Sequence, residues 1–228
     1  MTDHARIYQD QAEKYQLLIS KQPGLVGVME EIRTCKGLDI VDIGAGTGRL
    51  TTVLAPQAKS ITVLDASEAM LQVTASRLIE AGHTNWSTRV ADHRKLPLED
   101  NSADLIVAGW TICYLASSNV PNWKENMYDV IAEMKRVLRP NGSIIIFETM
   151  GTGTEFPDPP EFLKAYYTWL VEEAGFSHKW IRLDYEFDNT PQAEELTRFF
   201  FCDEVANKVR EQNLIRLPEC AGIWWLHL

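Results

Sequence analysis

Three features of this sequence could do chemistry together. The first is the run Asp42-Ile-Gly44-Ala-Gly46-Thr-Gly48. Glycines spaced in this way let the backbone turn tightly and let a ligand lie against it, at the electropositive end of a following helix. The second is Asp65, placed where a carboxylate can accept hydrogen bonds from both hydroxyls of a ribose. The third is Asp92, which could take the exocyclic amine of an adenine. Together they describe a site for a nucleoside-bearing ligand, either a nicotinamide dinucleotide or an adenosyl compound. The spacing separates the two. The dinucleotide fingerprint needs G-x-G-x-x-G, and counted from Gly44 its third glycine position holds Arg49.

These residues do chemistry only if the right elements hold them. An apolar run over 38–43 reads as a buried strand that ends in the glycine loop, and a helix over 49–55 stops at Pro56. A β-branched strand over 60–64 ends at Asp65, and a helix over 67–81 closes with Gly82. Strands over 86–91 and 104–108 end at Asp92-His93 and Gly109-Trp110. The helix over 123–138 keeps Met127, Val130, Ile131, Met134 and Leu138 on one face, before the turn Pro140-Asn-Gly142 and a strand over 143–147. Strands alternating with helices require a parallel sheet, and its ligands bind beyond the carboxyl ends of the strands. Every candidate above sits at such an end. Helices over 5–19 and 25–32 precede this unit. A helix over 162–174, a strand over 180–187 with period-two alternation, a helix over 192–212 and a strand over 223–228 follow it. The expected fold is α/β: a doubly wound, Rossmann-like sheet of seven strands, mostly parallel with an antiparallel edge strand. We expect one domain over 1–228, with an N-terminal helical lid (1–35), a cofactor-binding core (36–150) and a substrate-side part (151–228).

Composition narrows the partners. The 228 residues carry 22 Lys+Arg against 32 Asp+Glu, a formal charge of -10, which disfavours nucleic acid. Cys35, Cys113, Cys202 and Cys220 lie far apart without accompanying histidine spacing, so no metal site is expected and reduced thiols in a cytoplasmic protein are. No apolar run approaches a membrane span, and the N-terminus has no apolar signal region.

Four motifs in order resemble those of class I S-adenosylmethionine-dependent methyltransferases. They are Asp42-Ile-Gly-Ala-Gly-Thr-Gly48, Val63-Leu-Asp65-Ala-Ser-Glu-Ala-Met70, the stretch from Ala91-Asp-His to Asp104-Leu-Ile-Val107, and Met134-Lys-Arg-Val-Leu-Arg-Pro-Asn-Gly142. The likeness covers about residues 36 to 150 and is nearest to the quinone-biosynthesis-type branch, which acts on small molecules. The resemblance implies S-adenosylmethionine as cofactor and S-adenosylhomocysteine as product. It also implies that Gly44, Ala45 and Gly46 lie against the methionine part and that Asp65 binds the ribose. Ala66 and Met70 would lie near the adenine, with Asp92 and His93 on its other side. Ala108 would offer its carbonyl to the cofactor's amino group, and Tyr15 would fold over the cofactor. The sequence departs from that branch after the fourth strand, where Cys113-Tyr114 replaces histidine, so no histidine base carries over.

Methyl transfer from a sulfonium needs alignment and a dry pocket more than it needs a base. Tyr114 and Glu148 are the candidates if the nucleophile must lose a proton. Trp110 is a candidate wall of the transfer site. The segment 149–160 is expected to be a mobile loop over the substrate. Beyond it Tyr166, among many aromatics, is a candidate wall of an acceptor pocket for a planar or lipophilic small molecule. The competing reading is a cofactor-binding sensor on the same fold without methylation activity. A nicotinamide oxidoreductase is disfavoured by Arg49.

Overall fold

The computed structural model describes residues 4–228; the first three residues, where the expected lid begins, lie outside that range. The chain opens with three short helices, α1 (His4–Asp10), α2 (Ala12–Ile19) and α3 (Val26–Glu30). Strand β1 (Asp39–Ile43) then leads through the glycine loop to α4 (Thr51–Leu54). β2 (Ser60–Asp65), α5 (Glu68–Glu80) and β3 (Trp86–Val90) follow. Next come β4 (Ala103–Gly109), α6 (Cys113–Ala116), α7 (Trp123–Val137) and the long β5 (Leu138–Thr152). The C-terminal part runs α8 (Glu161–Glu172), β6 (Ser177–Arg182), β7 (Tyr185–Glu186), α9 (Thr190–Phe200), α10 (Asp203–Glu211), β8 (Arg216–Leu217) and β9 (Glu219–His227).

Seven strands form one sheet in the order β3-β2-β1-β4-β5-β9-β6. The first five are parallel, and β9 runs antiparallel to both β5 and β6. The order reverses at β1 and β4, which are direct neighbours, so a crevice opens above their carboxyl ends. The centre of the sheet is apolar on both faces. Ile43, Ile106, Ile144 and Ile146 pack with α7 on one side, while Ile40, Leu105, Val107 and Ile145 pack with Leu50 and Leu54 on the other. Local chemistry fixes the ends of the site's helix. Ser67 caps α5 by accepting a hydrogen bond from the Met70 N–H at 3.4 Å, and Gly82 ends it with φ of 74°.

The expected strand pattern holds, but three expected long elements are broken. The helix expected over 5–19 is interrupted at Gln11, whose φ of −138° leaves the helical region. The helix expected over 192–212 breaks at Phe201 and Cys202, both non-helical, which lets Phe200 turn towards the N-terminal helices. The alternating run 180–187 is split because Asp184 stops it. Its carboxylate accepts from the Glu219 N–H at 3.0 Å and pairs with Arg182 and Arg216. Beyond it β7 pairs with β8 in a separate two-stranded sheet.

The expected mobile loop over 149–160 is corrected in part: residues 149–152 belong to β5, while 153–160 carry no helix or strand. Strand β5 continues to Thr152, the Gly153 N–H donates to the Pro218 carbonyl at 2.7 Å, and the Asp158 N–H donates to the Met150 carbonyl at 2.6 Å. The segment is tied to the start of β9. Tyr166 is also corrected: it is wholly buried in the core beside Tyr167 and walls no cavity that the site uses.

Candidate active site

A cavity of about 360 Å³ opens at the carboxyl ends of β1, β2 and β4, within the range of small-molecule sites. Its floor is the glycine loop. Gly44, Gly46 and Gly48 all have positive φ, at 62°, 56° and 83°. Gly44 is required for a second reason. A Cβ there would lie 2.0 Å from the Thr111 hydroxyl oxygen, so the loop and the segment after β4 approach more closely than any side chain allows. Above Gly46 a Cβ would meet only the Tyr15 ring, at 3.9 Å, so this glycine faces the cavity.

Asp65 ends β2 beside the loop. One carboxylate oxygen accepts from the Gly46 N–H and the other from the Ser67 N–H, each at 2.8 Å. Each oxygen therefore keeps a lone pair for a ligand. Ala66 and Met70 line the same end of the cavity, as do Ala91, Asp92 and His93 from the end of β3. Asp92 is held at about 2 by a fork of hydrogen bonds from Arg94, at 2.9 and 2.7 Å. Most of its acceptor capacity is thereby engaged. His93 reaches across to Thr111, with Nε2 2.9 Å from the hydroxyl oxygen, and its buried Nδ1 has no partner. Burial lowers its pKa and keeps the ring neutral.

The far end is aromatic. Trp110 follows β4 with a left-handed φ of 53°, an uncommon conformation for a bulky residue. Its ring stacks on Phe147 at 5.8 Å and carries the Arg49 guanidinium on its other contact, 3.8 Å from the ring centroid. The mouth is closed by Tyr8 of α1, Tyr15 of α2 and Tyr114 of α6. The Tyr8 and Tyr114 hydroxyls share a hydrogen bond of 2.6 Å, and the Tyr114 oxygen lies 3.1 Å from His4 Nδ1. Tyr15 packs edge-on to Tyr8 at 5.2 Å and against Phe200 at 5.1 Å.

Besides Tyr166, three expected site residues do not reach the cavity. Asp42 lies under the loop, wholly buried, and accepts from the Thr51 hydroxyl at 2.5 Å; burial pushes it up to about 7. Ala108 stays inside β4 between β1 and β5, and the lining begins at Gly109. Glu148 is wholly buried in β5, accepts from the Cys113 N–H at 3.0 Å and is pushed up to about 8 by burial. By contrast Tyr15, Gly44, Ala45, Gly46, Asp65, Ala66, Met70, Asp92, His93, Trp110 and Tyr114 meet around one volume. Tyr8, Arg49 and Thr111 join them, and none of the three has a spacing signal that marks it. Among the described residues no cluster of side chains could hold a metal ion.

Residues 41–146 match the methyltransferase domain family. A demethylmenaquinone methyltransferase of Staphylococcus aureus is 29% identical over 209 residues, covering 86% of this chain and 81% of the relative. A solved S-adenosylmethionine-dependent methyltransferase from Aquifex aeolicus superimposes with a TM-score of 0.58 at 17% identity, covering 99% of this chain and 94% of the other. The Haemonchus contortus phosphoethanolamine N-methyltransferase 1, solved with phosphoethanolamine and S-adenosylhomocysteine, gives a TM-score of 0.53 at 19% identity over 96% of this chain and 45% of its own. Motifs, sheet order and these likenesses agree: residues 41–146 match a methyltransferase domain, and the chain is similar to S-adenosylmethionine-dependent methyltransferases in sequence and fold.

Proposed function

We propose that the cavity holds S-adenosylmethionine with its ribose on Asp65, its adenine between Met70 and His93, and its methionine part over Gly44 to Gly46. The acceptor then enters between Trp110 and Tyr114. The observation that carries this reading is Asp65: it closes β2 against the glycine loop and keeps one lone pair on each oxygen. Other features fit the same ligand. Gly46 offers an open backbone face, and His93 Nδ1 is a buried polar atom that lacks a partner. Asp92, engaged by Arg94, contributes charge at the adenine end more than a free acceptor.

When bound, the cofactor supplies an activated methyl group that is displaced in line. The chain's own part is to align and to exclude water. Tyr8, Tyr15 and Tyr114 close the mouth, which supports assigning 1–35 to the lid, 36–150 to the cofactor core and 151–228 to the remaining substrate side within one domain. Tyr114 is a phenol hydrogen-bonded to the Tyr8 hydroxyl and close to His4 Nδ1, so it orients an acceptor atom and takes no proton from it. Glu148 holds its proton away from the cavity and takes no part in the transfer.

We assign the protein to the cytoplasm. Its four cysteines are all free thiols, and no helix among the described residues is long and apolar enough to cross a membrane. The charge of -10 favours a small molecule over nucleic acid as acceptor. Calorimetry with S-adenosylhomocysteine tests the site. Two charge-assisted hydrogen bonds are at stake, so Asp65→Ala should weaken binding by about a hundredfold. Undiminished affinity in that variant would refute the assignment.

A further inference from the structure

Arg49 is the one arginine or lysine that lines this cavity, and it has no salt-bridge partner among the described residues. It occupies the position that excludes the dinucleotide fingerprint, at the turn into α4. Its guanidinium lies on the Trp110 ring, and one terminal nitrogen is buried with no hydrogen-bond partner. No carboxylate among the described residues forms a salt bridge with it, although most other arginines and several lysines of the chain have one. Holding a partly buried guanidinium without a salt bridge is costly, and the cation–π contact offsets only part of that cost. Burial lowers the Arg49 pKa, while Tyr185, Tyr15 and Glu219 act to raise it. Glu219 is a weak counter-ion, since burial pushes it up to about 7 and its hydrogen bond comes from the Thr149 hydroxyl. A cation kept in this state inside a ligand cavity is poised for an anion that arrives from outside.

Position decides which ligand brings it. The Arg49 guanidinium lies 3.8 Å from the centroid of the Trp110 ring, and the acceptor is assigned to enter beside Trp110. Arg49 therefore stands at the acceptor's end of the cavity. We propose that Arg49 is the acceptor's anion receptor: the methyl acceptor presents a planar oxyanion, a carboxylate or a comparably delocalised group, to the guanidinium while its flat body lies along Trp110. A guanidinium matches a planar oxyanion with two parallel hydrogen bonds, and Trp110 holds the fork in one orientation. The inference rests on the assignment of the adenosyl cofactor to the same cavity.

Benzoate and benzamide, which share shape but differ in charge, serve as probes on the protein saturated with S-adenosylhomocysteine. Titrations followed by calorimetry should show benzoate binding at least about tenfold more tightly than benzamide, a difference of one charge-assisted contact. Arg49→Met should erase that preference and leave S-adenosylhomocysteine affinity unchanged. Arg49→Lys, which keeps charge without the fork, should retain only part of it. Equal binding of the two probes, no binding of benzoate at tens of millimolar, or a preference that survives in Arg49→Met would each overturn the proposal. So would a loss of S-adenosylmethionine affinity in Arg49→Met that is absent with decarboxylated S-adenosylmethionine, because that places Arg49 on the cofactor's own carboxylate. Failure of S-adenosylhomocysteine to bind the wild-type protein is a different result: it removes the cofactor assignment itself.

Discussion

Gly44 and Gly46 share a left-handed backbone and stand two residues apart, yet they answer to different demands. At Gly44 a methyl group collides with Thr111, so Gly44→Ala combines backbone strain with a clash that only movement of the segment after β4 can relieve. We expect it to lower unfolding free energy by about 2–4 kcal/mol in urea titrations. At Gly46 the added methyl meets nothing closer than Tyr15, so Gly46→Ala should cost only about 1 kcal/mol of stability while blocking the face on which the cofactor is assigned to lie. Equal stability losses in the two variants would show that the close approach of Thr111 is not what selects Gly44. The glycines and Asp65 were legible in the sequence because their positions are set by a strand end a few residues away. Arg49, Tyr8 and Thr111 were not, because each reaches the cavity through a tertiary approach; Arg49 registered only as a missing glycine. Asp42 and Glu148 looked like site carboxylates for the same local reason. A carboxylate just inside a strand end can as easily turn under the loop, as Asp42 does to meet Thr51.

At the scale of elements, α1 and α2 are short and would not hold as isolated helices. They are held by contacts made with the site. Gln16 Oε1 accepts from the Thr47 hydroxyl at 2.6 Å and from Arg77 at 3.1 Å, which ties α2 to the glycine loop and to α5. The hydrogen bond between the Tyr8 and Tyr114 hydroxyls ties α1 to α6 across the mouth. Removing one such bond should cost about 1 kcal/mol. Tyr8→Phe and Gln16→Ala should therefore each speed amide exchange over residues 4–19 by several-fold, with β1, β4 and β5 unaffected. Unchanged exchange would mean that burial of Leu18 and Ile19 alone seats the lid. The sequence announced these helices by their periodicity but joined them, because a single non-helical residue such as Gln11 leaves the apolar spacing intact. The same holds for the break at Phe201. The parallel strands were the clearest part, since buried β-branched runs bounded by glycine loops and helices leave few alternatives. The end of β5 reads as a loop in the sequence. Its pairing with β9 depends on contacts near Glu219, about seventy residues further along.

For the molecule as a whole, the buried carboxylates set how stability responds to pH. Burial pushes Glu148 up from its ordinary 4.5 to about 8, Glu219 from 4.5 to about 7 and Asp42 from 3.8 to about 7. Each therefore keeps its proton in the folded chain at pH values where the unfolded chain has released it. The folded state binds more protons between the ordinary and the raised values, so stability falls as pH rises from about 4.5 towards 8. Asp92, Asp39 and Asp184 are shifted the other way, Asp92 to about 2. Their contribution is present above their ordinary values and is lost as the solution is acidified below about 4. The two windows barely overlap, and together they place maximal stability in the mildly acidic range. Repulsion within a chain of formal charge -10 adds to the loss at higher pH. Glu148 offers the clean test. Glutamine keeps an acceptor for the Cys113 N–H and carries no charge at any pH. Glu148→Gln should therefore flatten the decline in urea midpoint between pH 5 and 8 by up to the equivalent of one proton, about 1.4 kcal/mol per pH unit, and should be more stable than wild type at pH 8. The same pH dependence in both proteins would mean that Glu148 is already ionised in the fold, and that Cys113 and Tyr166 stabilise a buried carboxylate rather than a carboxylic acid.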